Sequence, residues 1–169
     1  TIVQSKVGIS EVRYSSTSSC RYDIELHKAE EEIKYAQIYK SSALCIKPYL
    51  WFVPKYAEKN ISIKSACEQI DYSGIKLHPF AQKWDFENYF HRKSLEEIFI
   101  WSSENKKEIL IHCGEDSCCL PSRFEFFFKE FPDAQVILAH SRPIKETMLM
   151  LKQYKNVKCD IAFADVETV

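Results

Sequence analysis

Three of the five histidines in this chain stand where an apolar run stops. Gly74-Ile75-Lys76-Leu77-His78-Pro79, Ile109-Leu110-Ile111-His112-Cys113-Gly114 and Val136-Ile137-Leu138-Ala139-His140 each carry a short hydrophobic stretch into a histidine, and proline or glycine follows within three residues. Imidazole both ligates metals and exchanges protons near neutral pH, so His78, His112 and His140 are candidates for a metal centre or a general acid–base site. The other two, His27 and His91, lie in polar, helix-like surroundings. Lys76 shares a face with His78 because side chains alternate along a strand. A lysine is disfavoured in the apolar layer between sheet and helices, so Lys76 and His78 should face the other, mouth side, leaving Ile75 and Leu77 for the helices. Leu110 with His112, and Val136 and Leu138 with His140, read as alternating in phase, which puts both histidines on that inner face too.

The elements needed to carry these groups can be read from the pattern. Apolar runs of this length, bounded by breakers, suit buried parallel strands, and in alternating α/β folds ligands bind at the strands' C-terminal edge. A weakly alternating strand spans Val7 to Tyr14 and leads into the Ser15 to Ser19 polar tract. Asp23 offers an N-cap for an amphipathic helix with Leu26, Ala29, Ile33 and Ala36 inward and Glu30 to Glu32 as its solvated face. Ala43 to Phe52 reads as a strand made irregular by Pro48, its aromatics Tyr49, Trp51 and Phe52 being core. Ile61 to Ile70 predicts a short helix, Phe80 to Tyr89 a loop with Trp84 exposed, and Leu95, Ile98 and Phe99 mark the next helix. Pro121 suits a helix start, with Phe124, Phe127, Phe128 and Phe131 as a core stripe. Pro143 opens a helix with Ile144, Met148 and Leu151 on one face, and Val157 to Phe163 is the last strand. About six strands alternating with helices give a parallel α/β architecture in one domain, 1–169.

Composition removes several function classes. A net charge of -1 without a Lys/Arg cluster gives no footprint for nucleic acid. No apolar run approaches the roughly 20 residues of a membrane span. With 3 glycines and no Gly-rich phosphate loop, dinucleotide and P-loop cradles are excluded. The 7 cysteines are odd in number and lack a Cys-x-x-Cys pair, which points to free thiols in a reducing, cytoplasmic setting. A cysteine metal site from Cys113, Cys118 and Cys119 with Cys159, or reactive thiols at Cys118 and Cys119, are minor alternatives.

Taken in order, "GIKLHPF", "ILIHCG" and "FPDAQVILAHSRP" resemble the fourth, fifth and sixth strands of the amidohydrolase superfamily, in its amidohydrolase-2 branch of metal-dependent hydrolases and decarboxylases. The resemblance extends more loosely from Val7 to Phe163. It implies a parallel (β/α) barrel of the TIM type, partial here, with about six βα units. It implies that His112 is a metal ligand, that His140 is a second ligand or the residue that activates a water, and that Lys76 lies where relatives place a carboxylated lysine or glutamate. Lys76 and His78 would then hold substrate anions or bridge metals. The sequence contains no His-x-His pair of the family's first strand and no eighth-strand aspartate motif, Asp160 and Asp165 falling in or after the apparent seventh strand. Residues 1–169 therefore read as an excerpt covering strands two to seven.

The expectation from these readings is a metal-dependent hydrolase, or a related decarboxylase or lactonase. Its cofactor would be a divalent metal, zinc by ligand type, and its partner a small polar or carboxylated molecule, with a homo-oligomer compatible. Two histidines alone leave a tetrahedral ion two protein ligands short, so this chain by itself is expected to hold zinc weakly. The rivals are a non-catalytic α/β ligand- or partner-binding module derived from such a barrel and an open flavodoxin-like sheet, the latter distinguished by free edges at the first and last strands.

Overall fold

The computed structural model describes residues 11–15, 30, 31, 33–35 and 45–162. Six strands form one sheet in the order β1-β2-β3-β4-β5-β6: Glu11–Ser15, Cys45–Trp51, Gly74–Leu77, Glu108–His112, Gln135–Ala139 and Val157–Cys159. Every neighbouring pair is parallel. Among the described residues no pairing joins β1 to β6, so the sheet is open with two edges. Its order runs without the reversal that marks doubly wound, flavodoxin-like sheets. Successive right-handed crossovers in such an order stack the connecting helices on one face and leave the other face bare.

Burial follows that division. Ile75, Leu77, Ile109, Ile111, Val136, Leu138 and Val157 are buried and join the main core. Against them pack α4 (Tyr89–Asn105), through Leu95, Ile98 and Phe99, and α5 (Glu125–Glu130), through Phe127 and Phe128. The expected phenylalanine stripe is core, beginning in a 3-10 turn at Pro121–Phe124. Phe99 stacks on Phe127 with centroids 5.0 Å apart. On the opposite face the row Trp51, Lys76, Leu110, Ile137 and Lys158 runs across five strands in register.

Several local readings change. β2 passes regularly through Pro48, whose carbonyl accepts the Ser73 amide. N–H and C=O of one strand residue point to the same side, so the donor that proline lacks would face chain that has not yet entered β3, and the ladder loses nothing. Trp84 is buried, not exposed, because its indole N–H donates to Gln82 Oε1 at 2.8 Å. Two helices of one turn, α1 (Pro54–Glu58) and α3 (Pro79–Gln82), stand where no helix was read, α2 is only Ile63–Ala66, and β6 is only Val157–Cys159. In α6 (Ile144–Gln153) the buried residues are Thr147 and Met150, while Met148 is exposed. Glu30 is buried although the acidic run was read as solvated. Val7 to Ser10, the 16–29 stretch with its Asp23 cap and His27, Phe163 and Asp165 lie outside the described residues. No helix among the described residues is long and apolar enough to cross a membrane.

At the N-terminal end of the bare face, Tyr49 lies across Gly74 and donates its hydroxyl hydrogen to Glu108 Oε2. A β-carbon at position 74 would stand 2.2 Å from the Glu108 carbonyl oxygen and 2.6 Å from Tyr49 Cε1, so only glycine fits there.

Candidate metal and proton-transfer site

At the other end of that face, four strand exits converge. β3 delivers Lys76 and then His78; β4 ends on His112; His140 follows β5 and Asp160 follows β6. The His78 and His112 rings stack with centroids 3.7 Å apart and planes 11° from parallel. His112 Nδ1 lies 3.1 Å from His140 Nε2. Alternation would have sent His140 elsewhere: Val136 and Leu138 face the helices, so an extended residue 140 would follow them, contrary to the in-phase reading. Left-handed backbone at His140 (φ 71°) and Ser141 (φ 50°) turns the imidazole to the mouth. That unfavourable conformation is held by Asp160. Asp160 Oδ1 accepts the His140 amide at 2.8 Å and the Ala162 amide at 3.0 Å, and its carbonyl accepts the Ser141 hydroxyl.

The hydrogen bonds fix where the protons sit on a neutral pair. His140 Nδ1 is 2.9 Å from the Ala162 carbonyl, which can only accept, so Nδ1 carries the proton and Nε2 is the acceptor. His112 Nδ1–H must then donate to His140, which leaves the His112 Nε2 lone pair available to a cation or a proton. Burial, and then the neighbouring His78, Lys76, His140 and Arg142, push the His112 pKa down to about 3, so the ring is neutral at physiological pH. Burial likewise lowers Lys76 to about 8, opposed by Cys113, Asp160 and Cys119.

His78 has a second task. As N-cap of α3 it accepts the Ala81 amide at Nδ1, at 3.3 Å. The loop after β4 folds back over the strand end through Gly114 N–H to the Cys119 carbonyl and Cys119 N–H to the Asp116 carbonyl, at 3.3 and 2.7 Å. Cys119 is thereby buried beside the histidines, and donor atoms of His78, His112 and Cys119 lie within 4.8 Å of one another. Burial raises the Cys119 thiol to about 12. Cys113 instead points into the core. Two imidazoles and a sulfur are donors that zinc accepts, so the residues present fit the expected cation.

The fold thus brings together all four residues singled out from sequence, Lys76, His78, His112 and His140. Sequence reasoning missed Cys119 as a neighbour of the histidines and Asp160 as the anchor of His140. The crowding of cysteines after the His112 strand was the available signal for the first; nothing local marks the second. His91 is a structural histidine, buried and accepting the Asp85 amide at 3.0 Å. Comparison with protein-family models, with curated proteins and with solved structures finds no match.

Proposed function

We propose that this protein is a metal-dependent hydrolase of the amidohydrolase type, built on part of a (β/α) barrel and acting on a small polar or carboxylated substrate. One observation carries the reading: the Ala162–His140–His112 hydrogen-bond chain at the C-terminal edge of a parallel sheet, which presents an unprotonated Nε2 at the mouth. Such a chain is how proteins orient a metal-binding imidazole and raise its basicity.

A divalent cation, zinc by donor type, supplies Lewis-acid polarisation of the scissile carbonyl and acidifies water toward neutral pH. His112 holds it. His140 acts through His112, keeping the proton off Nε2 and sharing positive charge as it develops, and so is a positioning residue. Lys76, protonated for the most part at neutral pH, attracts the substrate carboxylate from the floor of the mouth. Exposed Arg142 and Glu115, paired at 3.0 Å, brace the loops after β5 and β4 at the rim.

The test is hydrolysis of a panel of small carboxylate-bearing amides, esters and lactones by the zinc-loaded protein, alongside zinc content by elemental analysis. Activity that follows zinc content and disappears with His112→Ala supports the proposal. Activity that survives both chelation and His112→Ala overturns it.

A further inference from the structure

We infer that the cation at this mouth is held by a thiolate, with Cys119, His112 and His78 as its three protein ligands and His140 outside the coordination shell. The inference rests on the metal-site reading above and adds what the sequence reading lacked, the ligands that two histidines on neighbouring strands leave missing. Neither His-x-His nor an eighth-strand aspartate is needed for it.

Three observations combine. Donor atoms of the three residues already lie within 4.8 Å of one another. Zinc–nitrogen bonds of about 2.0 Å and a zinc–sulfur bond of about 2.3 Å set tetrahedral donors about 3.5 Å apart, so binding requires the donors to draw in by about 1 Å and the stacked His78 and His112 rings to turn out of parallel until both lone pairs meet at one point. The His140 contact assigns the His112 proton to Nδ1 and its lone pair to Nε2. Lastly, the backbone bonds closing the 114–119 loop hold Cys119 at the strand end, whereas Cys113 faces the core and Cys118 Sγ lies 3.9 Å from Cys119 Sγ. Of the three cysteines in this stretch, Cys119 is the one that shares a donor cluster with the histidines.

On binding, the Cys119 S–H bond gives way to a sulfur–metal bond and the proton passes to solvent. Coordination of His78 through Nε2 moves its proton to Nδ1 and exchanges the long Ala81 cap bond for the metal bond. Three protein ligands leave a fourth position open for substrate, the arrangement of catalytic rather than structural zinc. The sulfur favours zinc or cobalt over magnesium or calcium.

Cobalt(II) titration of the full chain, read by absorption, tests this without any substrate. The expected result is a thiolate-to-cobalt band in the near ultraviolet at one equivalent, retained in Cys118→Ser and His140→Ala and absent in Cys119→Ser. His78→Asn keeps an amide oxygen to cap α3 while removing the imidazole, and so separates capping from ligation. Cys119→Ser, His112→Ala and His78→Asn should each weaken zinc binding by more than the roughly 10- to 100-fold that loss of an outer partner costs, the range expected for His140→Ala. A band that persists in Cys119→Ser, or that requires Cys118, overturns the inference. Cobalt bound with no such band and equal affinity in Cys119→Ser also overturns it, while leaving a histidine-held metal and the hydrolase reading intact. Absence of both cobalt and zinc binding removes the inference and the metal-dependent hydrolase together.

Discussion

One sheet presents two faces made by opposite rules. On the helix side, Ile75, Leu77, Ile109, Ile111, Val136 and Leu138 are 1% exposed or less and belong to one apolar cluster. On the bare side the same strands carry Lys76, Leu110 and Ile137 into an edge of imidazoles, a thiol and a carboxylate, where groups are close and their bonding depends on proton positions. Apolar burial is additive and tolerant of detail, whereas a hydrogen-bonded chain is set by single atoms. Mutations on the two faces should therefore separate stability from function, and the predictions run from the largest effect to the smallest.

His112→Ala should abolish metal content and turnover together while shifting the thermal midpoint little, as read by elemental analysis, steady-state rates and a melting curve. A variant that keeps both metal and rate would reduce this edge to core histidines. His140→Ala should lower turnover by roughly 10- to 100-fold with at least partial retention of metal, because the lost group acts through a neighbour. Complete metal loss in that variant would make His140 a ligand instead.

Leu138→Ala tests the opposite face of the very strand that leads to His140. It should cost about 2–5 kcal/mol in denaturant unfolding, by lost transfer energy plus the cavity left behind, with turnover unchanged where the protein remains folded. A rate that falls in step with stability would show the faces to be coupled.

Lys76→Met should stabilise the protein at neutral pH by on the order of 1 kcal/mol, since it removes a half-buried, partly desolvated charge. The pH dependence has a definite sign. The folded-state value of about 8 lies below the ordinary 10.5, so between them the unfolded chain binds more protons and wild-type stability rises with pH. The advantage of the methionine variant is therefore full below pH 8 and gone above about 10.5. His112 acts alike at lower pH: its value of about 3 against an ordinary 6.5 makes wild-type stability fall as pH drops through that window. A methionine advantage that grows with alkaline pH would contradict the assignment. Smallest of all, Tyr72→Phe should be neutral or stabilising by up to about 1 kcal/mol in the same assay, because the buried Tyr72 hydroxyl has no hydrogen-bond partner among the described residues.

Strands β3, β4 and β5 were legible because each is an apolar run stopped by a breaker, and their histidines were legible with them. The helices α1 and α3 were not: four or five residues span too little of a 3.6-residue period to register. Trp84 looked exposed amid polar residues, and its burial depends on a hydrogen bond to Gln82 that only the turn creates. The phase of His140 failed for a similar reason. Left-handed backbone at a histidine and a serine has no sequence mark of the kind glycine gives, and what holds it is Asp160, twenty residues on. The nearness of Cys119 to His78 joins a loop after β4 to the end of β3, a consequence of strand order rather than of local pattern.

Gly74 is, in effect, the registration mark of the mouth. The oxygen that forbids a β-carbon there belongs to the backbone of β4, so it cannot swing aside as a side chain could. Tyr49 therefore crosses β3 at this residue, and the pairing of Tyr49 with Gly74 also fixes Trp51 opposite Lys76. A slip of one residue would bring Ile75 under the tyrosine ring and exchange the strand's faces, sending Lys76 and His78 among the phenylalanines and Ile75 and Leu77 into the mouth. The missing side chain at one end of a four-residue strand thus holds the imidazole at the other end in place, some 13 Å away at about 3.3 Å per residue.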